Sequence, residues 1–293
     1  MQINTEKNQK EIKSHGDYSF PVNVSEESIT RYDGCAFLWH WHPEIELTWV
    51  QSGQMEYHVN EKTYVLKEGD GLFGNSNSLH SGYMMDNQSC EYLSITFHPR
   101  FIYGYENSML QTKYVDFIIT NTDWTSLKLS PDTNWQKGIL DTIRQIYQMS
   151  LNPGPCYELY VHLALADIWL NLYRYYSSLP LKTQQNDDHL DRLKRILSFI
   201  QSHYSETITL DDIADSVNIC KSECCRFFKK HMNMTLFEYL MFFRIQQSFP
   251  MLNAGEPITK IAGAVGFTDS SYYGKIFKRY MGCSPGQYKK EPR

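Results

Sequence analysis

Two rhythms of apolar and polar residues divide this chain. From Arg31 to about Phe101 the apolar residues come in short runs, EIELTWV, QMEYHV, TYVL and YLSITF, each closed by turn-forming residues. That is the pattern of short antiparallel strands. SGQ at 52–54 and NEK at 60–62 are expected to be hairpin connections, and KEGDG at 67–71 a tight turn into a further strand. Strands this short and this closely spaced predict a small barrel or jelly roll, placed at about 18–101. From Trp135 the rhythm turns helical. Trp135, Ile139, Leu140, Ile143, Ile146 and Tyr147 form one stripe, and Asn152-Pro153-Gly154-Pro155 breaks it. Leu159, Leu163, Ala166, Trp169, Leu170 and Tyr173 mark the apolar side expected of a second helix, the pair spanning about 134–178. Residues 1–30 are polar, their first half expected to be mobile. Residues 101–130 are expected to be loops and short turns against the barrel.

The helical rhythm continues beyond a polar stretch at 181–188, which is taken as a linker between residues 1–180 and 189–293. Leu193, Ile196, Leu197 and Ile200 stripe one helix; Leu210, Ile213, Ala214 and Val217 stripe the next. Asn218-Ile219-Cys220 turns the chain into a third, over 221–231. This unit then repeats. Ile213-Ala214 and Val217 recur 48 residues later as Ile261-Ala262 and Val265, and Phe228-Lys229, Met232 and Tyr239 recur 49 later as Phe277-Lys278, Met281 and Tyr288. In the second copy Gly266 supplies a left-handed corner, Phe267 plugs it, and Asp269 caps the following helix. Tyr272, Tyr273, Ile276 and Phe277 are expected inward, with Ser270, Ser271, Gly274 and Lys275 outward. Short helices joined by a tight turn, with a basic outer face on the second, describe a helix-turn-helix. Pro250 is expected to bend or end the helix between the two units.

The stretch 258–285 resembles the second helix-turn-helix of AraC-type transcription regulators. Ile258, Ile261, Ala262, Gly266, Phe267, Asp269, Ser271, Tyr272, Phe277, Lys278, Gly282, Ser284 and Pro285 carry the match. Tyr273 stands where Phe is usual and Lys275 where Arg is usual. In the first copy Cys220 replaces a capping Ser, and Asn233 replaces the Gly found at 282. The resemblance implies that each unit places a helix in the major groove, about one turn (~34 Å) apart on one DNA face. Arg226 and Lys275 fall at the family's main reading positions, where long cations reach guanine O6 and N7. Ser222, Cys225, Ser270 and Ser271 add weaker contacts, and Lys229, Lys230, Lys278 and Arg279 suit phosphates at helix ends.

In the β region, Gly34-x5-His40-x-His42-x3-Glu46-x6-Gly53 is similar to the first cupin motif. The second motif is altered: Gly69 and His80 are present, but Asn75 and Asn77 stand where Pro and Gly are usual. On an unbroken strand His40, His42 and Glu46 share a face, although Pro43 can break that register. Facing inward, these groups and His80 make a polar pocket. They can hydrogen-bond a polyol, hold a divalent ion with open positions, or satisfy one another and buried water. The resemblance implies a sensor barrel, since many family members keep these residues without being enzymes, so a small-molecule effector, a sugar or related metabolite, is the expected ligand, with no cofactor. The two helices that follow resemble the family's dimerisation helices.

Charge sharpens this division. The net charge is −5, yet residues 1–188 carry 13 Lys and Arg against 23 Asp and Glu, and residues 189–293 carry 15 against 10. Only the second part suits a polyanion. No run approaches the ~18 apolar residues of a membrane span, and MQINTEKNQKEIK lacks a signal-peptide core. Seven cysteines without repeated C-x-x-C spacing are expected to be free thiols in a reducing cytoplasm. The expected molecule is a cytoplasmic, multidomain α+β regulator. It has an N-terminal cupin-like β-barrel with following helices, then an all-α domain with two helix-turn-helix units. It binds promoter DNA as a homodimer, is not an enzyme, and meets RNA polymerase if it activates. The rivals are a metal-dependent cupin enzyme with an appended DNA-binding domain, and a regulator whose barrel only dimerises.

Overall fold

The computed structural model describes residues 1–290 apart from Lys7, 181–187 and Asn233. The linker expected at 181–188 and the helix end expected at Asn233 therefore lie, wholly or mostly, outside the described residues. The chain divides into two compact units, and the division differs from a single cut. A β unit comprises Glu11–Arg31 and Ala36–Asp187; a helical unit comprises Met1–Lys10, Tyr32–Cys35 and Asp188–Arg293.

Among the described residues, the β unit contains nine strands in two antiparallel sheets. The strands are β1 (Val22–Ser28), β2 (Ala36–His40), β3 (Ile45–Ser52), β4 (Gln54–Val59), β5 (Lys62–Lys67), β6 (Gly71–Gly74), β7 (His80–Met84), β8 (Glu91–Phe97) and β9 (Ser126–Leu129). One sheet runs β1-β8-β3-β6-β9 and the other β2-β7-β4-β5. Asn60-Glu61 does join a β4–β5 hairpin, with Val59 opposite Lys62. Gly53 does not: β3 and β4 lie in different sheets, so SGQ is a crossing rather than a hairpin.

The 101–130 region holds more structure than its sequence announces. Short helices α1 (Arg100–Tyr103) and α2 (Asp116–Ile119) flank a π-turn, and β9 adds a strand beside β6. Helices α3 (Asn134–Leu151) and α4 (Tyr157–Ser177) cover the larger sheet. Alternation along β3 and β8 makes this possible. Ile45, Leu47, Ile95 and Phe97 face the helices in one core with Ile143, Ile146, Leu165 and Trp169, and the alternate residues face the other way. On α4 the stripe chosen from sequence is largely the wrong side. Val161, Leu165, Ile168, Trp169, Leu172 and Tyr176 are buried, whereas Leu159, Leu163 and Leu170 are 59%, 58% and 42% exposed. A helix apolar on both sides gives no unique moment, and packing against Ile143 and Ile146 selects one.

In the helical unit, α5 (Asp188–His203) precedes α6 (Leu210–Asp215) and α7 (Lys221–Met232), which form the first helix-turn-helix. Thr209 and Asp212 make a reciprocal capping box on α6. Asn218 turns the corner at φ +56°. Helix α8 (Leu236–Asn253) then leads to α9 (Ile258–Ala264), α10 (Ser270–Met281) and α11 (Pro285–Lys290). Pro250 does not end α8, which continues to Asn253 with a close around Ala254. Phe249 of α8 packs on Phe277 and Tyr288, and Tyr273 Oη donates to Ser248 Oγ at 2.9 Å. Arg244 is buried on the same helix, donating to the carbonyls of Tyr204 and Glu206 at 2.7 Å each.

Gly266 sits at φ +87° between α9 and α10, and a Cβ there would lie 2.6 Å from the Tyr204 carbonyl oxygen. Gly266→Ala should destabilise the helical unit by about 1–3 kcal/mol, the range for strained left-handed residues. Gly274→Ala, with nothing within 4 Å of its Cβ, should stay within about 0.5 kcal/mol. Urea unfolding followed by far-ultraviolet circular dichroism compares them; equal midpoints would refute the assignment of strain to the corner.

Candidate functional site

Helices α7 and α10 each bury one face and leave the other to solvent, and the buried face dictates which residues project. On α7, Cys224, Phe227, Phe228, His231 and Met232 are buried. Ser222, Arg226, Lys229 and Lys230 are therefore exposed, and Cys225 is half-buried. On α10, Tyr273, Ile276 and Phe277 are buried; Ser271, Lys275, Lys278 and Arg279 are exposed and Ser270 is half-buried. Asp269 caps α10, accepting from the Ser271 and Tyr272 amides at 3.0 and 3.1 Å. Tyr272 departs from expectation: it is 47% exposed, on the outer face one turn before Lys275. A single helix position separates it from the buried Tyr273, and periodicity alone placed both inside.

Before meeting a ligand, some of these side chains lie along the protein. The Arg226 Nε–H reaches back to the Ser222 carbonyl at 3.3 Å, and Arg279 lies 3.8 Å from Glu238. Cys220 precedes α7 with its Sγ 3.3 Å from Ser222 Oγ, and that hydroxyl together with the amides of the first turn lowers the thiol pKa.

The second cluster lies in the β unit. His40 ends β2 and pairs across the ladder with His80, which begins β7; their rings are 4.1 Å apart. Glu46 lies on β3, in the other sheet, so His40 and Glu46 do not share one unbroken strand. The chain crosses between the sheets at 41–44, around Pro43, carrying His42 with it. The four groups converge from opposite sheets: Glu46 Oε2 is 3.4 Å from His42 Nε2 and 3.2 Å from His80 Nε2. Thr48 and Ser94, on the pocket face of β3 and β8, donate to Glu46 Oε1 at 3.3 and 3.0 Å. Asn75, where the cupin pattern has Pro, is buried and donates to the Ile118 and Trp124 carbonyls, fixing the loop before β9.

Two further groups join the cluster that sequence reasoning missed. Glu11 and His15 are seated in the site rather than on a loose terminus. Glu11 N–H donates to the Trp41 carbonyl at 2.9 Å, and Glu11 Oε2 is 2.9 Å from His15 Nε2 and 4.0 Å from His40 Nε2. Thr96 Oγ1 holds His15 Nδ1 at 2.8 Å. The only sequence signal was an Asp/Glu–His pair four apart in a polar stretch, which carries no strand or helix pattern. Among the described residues, two groups bring ligand atoms within 4.8 Å of one another: His40, His42 and His80, and Glu11, His15 and His42.

Burial shapes the protonation here. Burial drives His40 down from its ordinary 6.5 to about 3, with His80 pushing the same way and Glu11 opposing. Burial also disfavours charge on Glu46, but the imidazoles of His42 and His80 outweigh it and hold the carboxyl well below its usual range. At His80 burial is in turn outweighed by the Glu46 carboxylate, and its pKa rises.

Two helix-turn-helix units with cationic outer faces, carried with a β-sandwich that encloses polar groups, define a DNA-binding regulator with a ligand-binding domain. Residues 25–213 match the AraC-like ligand binding domain and residues 213–291 a helix-turn-helix domain. An uncharacterised HTH-type transcriptional regulator, YdeC of Bacillus subtilis, is 32% identical over 97% of both chains. The melibiose operon regulatory protein of Escherichia coli is 24% identical over 86% of this chain and 83% of its own. Among solved structures, ToxT of Vibrio cholerae is 14% identical, covering 92% of this chain and 98% of its own at a TM-score of 0.45. The chain belongs to the AraC family of transcription regulators. No helix among the described residues is long and apolar enough to cross a membrane.

Between pH 6.5 and 3 the unfolded chain takes a proton at His40 and the folded chain does not. The unfolded state then binds more protons, so stability falls on acidification through that window and is unaffected above it. The lowered Glu46 adds loss in the same direction, whereas the raised His80 contributes stability at low pH that is lost as pH rises through its folded value. In chelator-treated protein, His40→Gln should show a shallower acid slope than the parent chain. Parallel slopes in pH-dependent thermal unfolding would show that His40 is not a buried neutral imidazole.

Proposed function

We propose that this regulator binds promoter DNA sequence-specifically under the control of a small polar molecule, a sugar or related metabolite, held in the barrel at His40, His42, Glu46 and His80. The observation that carries the reading is the polar interior between the two sheets. A small sandwich ordinarily fills that space with apolar side chains, but here Thr48, Ser94 and Thr96 join the four cluster groups. Hydroxyls and imidazoles in this arrangement suit a polyol, and the melibiose operon relative supports a carbohydrate class. Control of this kind requires ligand and DNA affinities to be coupled in both directions.

Arg226 and Lys275 are assigned to base edges, Ser222, Cys225, Ser270 and Ser271 to supporting contacts, and Lys229, Lys230, Lys278 and Arg279 to phosphates. The exposed leucines of α4 are assigned to a homodimer interface. Leu159, Leu163 and Leu170 line one side of α4 and are exposed, and an exposed apolar patch of this kind marks an association surface.

Arg226→Ala and Lys275→Ala should each weaken operator binding by about 1–3 kcal/mol and relax preference at one base pair. Uniform weakening over all sequences would make them phosphate contacts. Leu163→Asp should shift the chain from dimer to monomer in sedimentation; an unchanged dimer would move the interface elsewhere. Operator affinity measured with and without a carbohydrate panel tests the control, and identical affinities throughout would overturn it.

A further inference from the structure

Helix α10 carries three tyrosines, and two of them serve the fold. Tyr273 Oη donates to Ser248 Oγ at 2.9 Å inside the core, and Tyr280 Oη donates to the Glu238 carbonyl at 3.1 Å. Tyr272 lies in the first turn, 47% exposed, and its hydroxyl bonds to no described residue. Its ring is held all the same. It meets the ring of Phe267, the buried plug of the corner, in a T-shaped contact with 5.9 Å between centroids. The Arg244 guanidinium lies over the Phe267 ring at 5.7 Å, and the carbonyls of Tyr204 and Glu206 fix Arg244 in turn. A single exposed ring is ordinary on a protein surface. What distinguishes this one is its support and its place.

Tyr272, Lys275 and Arg279 are all exposed and recur at helical spacing, so they share one ridge beside Ser271. A reading helix meets base edges with the residues of its N-terminal turns, and Tyr272 belongs to the first of these. In the major groove every base pair shows hydrogen-bond donors and acceptors, but one group is apolar, the C5-methyl of thymine. A tyrosine offers apolar surface along its body and a hydroxyl only at its tip. Lys275, three residues on, has the reach for guanine O6 and N7. Three residues of helix rise about 4.5 Å, against about 3.4 Å between stacked bases, so the two side chains address neighbouring base pairs. The first unit has no such ring: Glu223 stands there, its carboxylate 3.3 Å from Arg192.

We infer that Tyr272 is a specificity-determining residue of the second helix-turn-helix unit. Its ring packs on the C5-methyl of a thymine one or two base pairs from the base read by Lys275. Phe267, backed by Arg244, positions the ring before DNA arrives, which lowers the cost of ordering it on binding. The readout is of the methyl group rather than of an A·T pair as such, and it belongs to the second unit alone. This role rests on α10 lying in the major groove, the reading proposed above.

The test starts from the duplex that the full chain selects from a random library, with Lys275→Ala locating the base pair which that lysine reads. Each thymine is then replaced in turn by deoxyuracil, which removes the methyl and keeps every hydrogen-bonding group. Affinities are compared by fluorescence anisotropy at one salt concentration. For the parent chain, one such replacement within two base pairs of the Lys275-dependent pair should weaken binding about fourfold, what burying one methyl-sized group is worth. Tyr272→Phe should keep that loss in full. Tyr272→Ala should bind the thymine and deoxyuracil duplexes equally. Tyr272→Glu, which carries the residue of the first unit and suits the first turn of a helix, should do the same. A selected site without thymine in that window, no thymine whose methyl matters, or a methyl effect of equal size in Tyr272→Ala would each overturn the inference. Equal weakening of Tyr272→Ala on every duplex with the methyl effect intact would place the ring on the sugar–phosphate backbone and overturn it as well. A relaxed base preference in Lys275→Ala without any methyl effect sinks the role of Tyr272 alone. No base-specific effect of either residue sinks the placement of α10, so the two failures are distinguishable.

Discussion

The β unit is organised around one buried carboxylate. An ionised Glu46 between two sheets is costly unless it is paired and hydrogen-bonded. The fold supplies hydroxyls from β3 and β8 to one oxygen and imidazoles from the crossing segment and β7 to the other. Each partner belongs to a different element, so the carboxylate is satisfied only when the two sheets close on each other in one register. Because β3 alternates, the strand that offers Glu46 and Thr48 to the pocket also offers Ile45 and Leu47 to the helix-covered core. A one-residue slip would exchange the two sets, so the apolar core and the polar site hold each other in register.

In the helical unit the comparable constraint is the corner. Asn218 in the first copy and Gly266 in the second take left-handed backbone at corners that introduce α7 and α10. The corner fixes the helix's direction, and the buried aromatic residues fix its rotation about its axis. Phe228 and Phe277 are both fully buried, and each follows its outward cation by two residues, Arg226 and Lys275. The exposed chemistry is thus set by the buried residues behind it.

Much of this was legible in the chain. The repeat at 48 and 49 residues, the corner glycine, the Asp269 cap and the β4–β5 turn all rest on local rules, and local geometry honours them. Features set by partners were not legible. Glu11 and His15 have no periodicity to betray them, because what places them is a backbone bond to Trp41 and a side-chain bond to Thr96. His40, His42 and Glu46 were correctly grouped for a reason that fails: they meet across a sheet crossing rather than along one strand. The wrong side of α4 was chosen because both sides are apolar. Pro250 lies in the last turn of α8; its missing N–H forgoes a single bond to the Gln246 carbonyl, and the turn after it still closes, with the Ala254 N–H on the Pro250 carbonyl.

The repeat also shows where the two DNA-binding units part company. Superposing them by sequence pairs Ser222 with Ser271, Arg226 with Lys275, Lys229 with Lys278 and Lys230 with Arg279. These pairs keep hydrogen-bonding type or charge. Two positions between them do not: Glu223 in the first unit answers to Tyr272 in the second, and Cys225 to Gly274. Glu223 lies 3.3 Å from Arg192, which ties up its charge near the helix start. Tyr272 instead presents a half-exposed ring, an apolar edge suited to a thymine methyl or a sugar face, beside Lys275. At these positions the first surface carries Arg226 beside a carboxylate and the second Lys275 beside an aromatic ring. Two helices built on one inner pattern therefore offer unlike outer faces.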